Sequence, residues 1–188
     1  MTQTPGAGSR WPRRLMPVPV SRLQVDSSVA ATSPKGYSDA ELRQAMRDVP
    51  EIYAMLDRGV PPREILDLRG HSDPHLRSVG TTYGHLFGAT PSSQVLAADV
   101  VNGQLEVTKG NHRIRAARQA GVEVLPVEVA AQTAEELDAV ASEARGADPA
   151  RYPRFEQAHA RATSLGRDAG RDQASSERSV SRDERART

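Results

Sequence analysis

The residues best suited to chemistry in this 188-residue chain stand side by side as Lys109-Gly110-Asn111-His112-Arg113. A β-type run ends there, a glycine permits an unusual backbone angle, and a helical pattern begins. The first turn of a helix leaves N–H groups without intrahelical acceptors and carries partial positive charge, so an anion fits it well. Lys109, Arg113 and, when protonated, His112 bring further positive charge to the helix end that disfavours it. That mismatch costs about 0.3–1 kcal/mol per exposed charge and is relieved when a phosphate or carboxylate occupies the turn. Arg115 and Arg118 continue the basic edge along the helix. The plainer alternative is that Asn111 is a helix cap and the arginines are solvated surface. The glycine spacing matches neither the GxxxxGK[ST] phosphate loop nor the GxGxxG dinucleotide fingerprint.

Three other places in the chain carry residues that could do chemistry. His71-Ser72-Asp73-Pro74-His75 holds two imidazoles and a carboxylate within five residues, a donor set that suits zinc or a similar cation. The expected reading is a loop in which Asp73 caps a helix begun by Pro74, with no metal assigned. His85 is read as structural. Asp99 and Glu106 flank Asn102-Gly103 on two β-type runs and could share one side of a hairpin, as solvated or cross-strand carboxylates. No serine sits in a GxSxG elbow, and the aromatic residues are too scattered for a base-stacking platform.

The chain has no Cys, which removes disulfides, thiolate catalysis, Cys-based zinc fingers and iron–sulfur clusters. Its 25 basic and 24 acidic residues hide a division: net +4 over residues 1–35, −5 over 36–145 and +2 over 146–188. An acidic middle does not bind nucleic acid through its bulk field, so a phosphate contact there must be local. No apolar stretch approaches the ~18 residues that span a bilayer, and the first residues lack an apolar core of signal-peptide length. The sequence predicts a soluble cytoplasmic protein with no membrane partner.

The elements that must position the turn can be placed from pattern. Residues 1–15 are rich in Gly, Pro, Ser and Arg, and residues 147–188 alternate Arg, Ser, Asp and Glu. Both are expected to be disordered because they bury too little to offset ordering entropy, with a short helix allowed near Phe155. The domain between, 16–146, opens on a strand around Met16–Val25 whose prolines confine it to an edge. A helix starts at a Ser38/Glu41 capping box, breaks or restarts at Pro50 and stops at Gly59. A short helix follows over 61–70, then a glycine-interrupted stretch of unclear type. Asn102-Gly103 predicts a hairpin, followed by a helix to Gly121, a strand over 122–130 and a closing helix. The fold class is α+β (mixed α/β): a single domain with a small mixed sheet, flanking helices and disordered tails.

The segment VNGQLEVTKGNHRIRAARQAGVEVLPVEV resembles the ParB/sulfiredoxin superfamily. Its signature is a strand, a DGxHR-like or GERRxRA-like turn, a small-residue helix, a glycine and an xVPVxV strand. Gly110, Asn111, His112, Arg113, Arg115 and Ala116 occupy the motif, and Gly121 with Val124-Leu125-Pro126-Val127 matches its exit. The likeness covers about 35 residues strongly and PVSRLQV more loosely. It implies a ParB-like domain binding a nucleotide or nucleic-acid phosphate. Gly110 would admit the phosphate and Lys109, Asn111, His112, Arg113 and Arg115 would surround it. Nucleotide hydrolysis or nuclease activity is left open. The implied cofactor is a nucleotide with Mg²⁺, its base unspecified.

Three departures bear on that implication. Asn111 stands where sulfiredoxin needs Cys, which excludes that activity. Lys109 stands where an acidic residue often precedes the glycine, and a protonated Lys holds no divalent cation. Beyond Val129 neither an ENxxR-like helix nor a helix-turn-helix is present, so partition-site DNA binding is not expected. The rival reading is a non-catalytic adaptor that meets DNA or a protein partner through its basic tails.

Overall fold

The computed structural model describes residues 11–26, 28, 38–87, 95–158 and 160. The predicted basic arm up to residue 10 and the tail from 161 onward lie outside these residues. In chain order the elements are β1 (Arg13–Pro19), a 3₁₀ turn (Val20–Arg22), β2 (Leu23–Gln24), α1 (Asp39–Asp57) and α2 (Pro62–Asp67). A second 3₁₀ turn (Leu68–Gly70) follows, then α3 (Pro74–Phe87), β3 (Leu96–Val101), β4 (Gln104–Lys109), α4 (Asn111–Ala120), β5 (Val124–Ala130) and α5 (Ala134–Ala147). Residues 152–158 are helical. Among the described residues, no helix is long and apolar enough to cross a membrane.

The described residues form two compact units, one from 11–26, 28, 38–47 and 95–156, the other from 48–87, 157–158 and 160. The first is an α+β unit built on a five-stranded sheet in the order β1-β5-β3-β4-β2. β5 pairs antiparallel with β1 and parallel with β3, β3 antiparallel with β4, and β4 parallel with the short β2. The sheet is therefore mixed. Asn102 (φ 49°) and Gly103 (φ 76°) both take positive angles between Val101 and Gln104, the type I′ geometry that matches strand twist. Met16, Val18, Leu105, Val127, Val129 and Ile114 supply its buried interior.

β1 begins at Arg13, inside the stretch expected to be disordered, because Arg13, Arg14 and Leu15 pair with Ala130, Val129 and Glu128. As expected, β1 is an edge strand, paired with β5 alone. α5 opens on a Thr133/Glu136 capping box and is tied back by ion pairs from Asp138 to Arg14 (3.1 Å) and from Glu143 to Arg22. The phenol of Tyr152, then Asp138, pushes the Arg14 guanidinium further above its ordinary value, partly offset by desolvation. The phenol oxygen itself falls short of hydrogen-bond geometry. Arg145 lies over the Tyr152 ring, 4.9 Å from its centre. Tyr152 and Phe155 are both buried, so aromatic burial holds ordered backbone beyond the expected boundary at 146.

The second unit is helical. α1 enters it without a break: Pro50 lies inside the helix, where a break was expected. Proline forfeits one i→i−4 bond, but Val49, Ile52 and Tyr53 are buried around it and packing outweighs that single loss. Gly59 (φ 79°) ends the helix, with its N–H donating to the Leu56 carbonyl and that of Val60 to Met55, a Schellman arrangement. The glycine-interrupted stretch is the continuous helix α3. A side chain at Gly80 would bring Cβ to 2.5 Å from the Arg69 backbone nitrogen, so the glycine permits close approach of two backbones. Tyr83 and Phe87 stack at 4.9 Å.

Asp48 is 1% exposed and accepts hydrogen bonds from Ser78 Oγ (2.5 Å) and Thr82 Oγ1 (3.3 Å) on α3. Replacing it by Ala removes the acceptor of the buried Thr82 and half-buried Ser78 hydroxyls. Asp48→Ala is expected to lower stability by about 1–3 kcal/mol and Asp48→Asn by less, read from urea denaturation midpoints.

The Ser38/Glu41 box forms as expected. Glu41 Oε2 accepts from the Ser38 N–H (2.7 Å) and hydroxyl (2.8 Å), while Ser38 Oγ accepts from the Glu41 N–H (3.2 Å). The backbone bond first, then the hydroxyl, holds Glu41 below its ordinary 4.5. A depressed folded-state value makes the contribution present above the ordinary value and lost as pH falls through the folded one. Glu41→Gln is therefore expected to lower the thermal midpoint relative to the wild type at pH 7, by a gap that narrows as pH falls below 4.5.

Candidate functional site

The strand-to-helix junction forms where the sequence placed it. β4 ends at Lys109, Gly110 adopts φ 97° and ψ 24°, and α4 starts at Asn111. The Ile114 N–H donates to the Gly110 carbonyl (3.0 Å), closing the first helical turn. Just before it the β3–β4 register shifts: Ala98 faces Val107 and Ala97 faces Lys109, leaving Thr108 as the extra residue. Such a bulge re-aims the end of a strand.

Two features distinguish this helix start from that of α5. No side chain caps α4, and its first turn contains no acidic residue, whereas Thr133 and Glu136 satisfy the corresponding groups of α5. Asn111, expected as a possible cap, is the first helical residue instead and is 8% exposed. Its Oδ1 atom is buried without a hydrogen-bond partner, a condition that costs about 1–3 kcal/mol where nothing compensates.

Lys109 is exposed, while His112 and Arg113 are half-buried. The Arg113 side chain folds back over the glycine: a Cβ at Gly110 would lie 3.1 Å from Nη2 and 3.2 Å from Nε. The Arg113 guanidinium thus lies beside the glycine that opens α4. The Arg115 Nη2 donates to Asp39 Oδ1 at 3.0 Å. Arg118 donates to the Leu23 carbonyl at 2.6 Å and ties α4 to β2. The sequence expectation of one continuous basic edge gives way to a cationic turn followed by two arginines with structural partners.

Asp99 and Glu106 face each other directly across β3 and β4, sharing one face as expected. Like charges in that position are mildly unfavourable. In the His71–His75 loop, Asp73 Oδ1 accepts from the His75 N–H (2.8 Å), the capping role expected of it. His71 Nδ1 accepts from the Asp73 N–H (3.1 Å), and His75 Nε2 meets Glu51 Oε2 at 2.7 Å. Among the described residues, no group of three or more His, Cys, Asp or Glu side chains could hold a metal ion. Sequence reading missed the Asp39–Arg115 pair: first-turn placement marks Asp39 as an ordinary helix-start acid, and nothing local reveals a partner 76 positions away.

Gly110 and Gly121 separate two costs. Both have positive φ, but a Cβ at Gly121 meets nothing within 4 Å, whereas at Gly110 it falls 2.3 Å from Leu96 Cδ2. Leu96 is 1% exposed and has little room to yield. Gly121→Ala is expected to cost about 1–2 kcal/mol for the left-handed backbone. Gly110→Ala should cost about 1 kcal/mol or more beyond that, measured as a larger drop in the chemical denaturation midpoint.

Compared with known proteins, the chain matches no family model, no curated protein and no solved structure.

Proposed function

We propose that this is a ParB/sulfiredoxin-like protein that binds a nucleotide or nucleic-acid phosphate at the turn from Lys109 to Arg113. The observation that carries the reading is the start of α4: uncapped, free of acidic residues and opened by a left-handed glycine beside the Arg113 guanidinium. An anion there would accept from first-turn N–H groups and complement the helix dipole. The guanidinium of Arg113 supplies charge-assisted, directional contacts, and Lys109 supplies a mobile point charge. The likeness of the segment from Val101 to Val129 to that superfamily supports the same ligand class.

The turn offers no carboxylate to a divalent cation, so Mg²⁺ would arrive with the phosphates of a nucleotide and be held chiefly by them. The Asp99/Glu106 pair is the nearest acidic grouping along the chain. Hydrolysis would need one of those carboxylates to reach an attacking water, and phosphate release on incubation with nucleotide measures it.

Isothermal titration with CTP, ATP and ADP, each with Mg²⁺, tests the binding. At least one is expected to bind, and Arg113→Ala is expected to weaken it about tenfold to a hundredfold, the span of one lost charge-assisted hydrogen bond. Absence of binding by all three, or an affinity indifferent to Arg113→Ala, overturns the nucleotide reading.

A further inference from the structure

We propose that Asp39 is a built-in stand-in for the anion: its carboxylate holds Arg115 until a phosphate ligand at the α4 turn takes that guanidinium over. The inference rests on the phosphate reading of the turn and adds a regulatory residue to it.

The geometry is specific. Arg115 lies four residues after Asn111, one helical turn on, and so shares its face of α4. Asn111 carries the buried, unpartnered oxygen on that face. Arg115 Nη2 donates to Asp39 Oδ1 at 3.0 Å. With no acid in the first turn of α4, the negative charge comes from another element, the first residue of α1. A guanidinium fork serves a carboxylate and a phosphate alike.

The pair is also weak enough to exchange. The Arg115 side chain is 32% exposed and that of Asp39 51%, so water screens their attraction and reaches both groups as they part. Ion pairs of that exposure contribute little, and a polyphosphate offers more charge than one carboxylate. Asp39 loses less than a buried partner would, since its carboxylate also favours the N-terminus of α1. A bound phosphate therefore gains Arg115 at small cost, and the negative charge of Asp39 sets how much binding is held back.

The test is titration of the full chain with inorganic pyrophosphate and with CTP plus Mg²⁺, comparing wild type with Asp39→Asn, Asp39→Glu, Arg115→Ala and the Asp39→Asn/Arg115→Ala double variant. Glu135→Gln, an exposed acid on α5, serves as a matched loss of one negative charge. Asp39→Asn is expected to tighten binding about two- to fivefold, the range an exposed ion pair can withhold. Asp39→Glu should return wild-type affinity, and the gain should vanish in the double variant.

Wild-type binding with Asp39→Asn equal or weaker overturns the stand-in role while leaving the phosphate reading in place. A gain that survives Arg115→Ala, or that Glu135→Gln matches, assigns the effect to bulk charge and overturns it equally. No wild-type binding of either probe removes both proposals together. Thermal midpoints of the variants confirm that each comparison is made between folded proteins.

Discussion

The reversal at Gly110 is the constraint on which the rest of the first unit depends. β4 must end against β3, and within one residue the chain must enter a helix that delivers β5 to the far side of β3. A φ of 97° makes this possible, and the side chain of Leu96 fills the space that any Cβ would need. The strand, the helix and the core residue on the neighbouring strand are thus coupled through one missing methyl group.

Charge in this unit is organised in pairs that tie one element to another. Arg13 pairs with Glu128, Arg14 with Asp138, Arg22 with Glu143 and Arg115 with Asp39. Each partner lies on an element other than that of its arginine, so these pairs tie separate elements together. They are exposed to varying degrees and add little stability one by one. Lys109, His112 and Arg113 stand at a helix start that carries no acid of its own.

Local chemistry made much of this legible in the sequence. Asn102-Gly103 announced the hairpin, Ser38 with Glu41 the start of α1, and Gly110 followed by an arginine-rich helix the junction, because each signal is complete within a few residues. What escaped depends on distant partners. Pro50 reads as a break from its own ring, yet the burial of Val49, Ile52 and Tyr53 keeps the helix whole. Gly80 reads as a weakness in α3 until the Arg69 backbone is seen beside it. Asp39 and Asp48 look alike in sequence, but one holds an arginine at the surface while the other is buried under two hydroxyls. Tyr152 and Phe155 sit in a polar segment whose composition concealed two buried rings.

The prolines of β1 have a consequence for how the sheet meets other molecules. Pro17 lies opposite Pro126, and neither can donate. That makes theirs a pair without ladder bonds, so the odd-numbered nitrogens of β1, including those of Pro17 and Pro19, point away from β5. The outer edge thereby loses donors at two successive outward positions, where a strand from another molecule would need them. Pro126 is harmless on its other side because β3 joins β5 only from Val127 onward. The sheet is closed to growth at β1 by the absence of hydrogen, with no element needed to cover it.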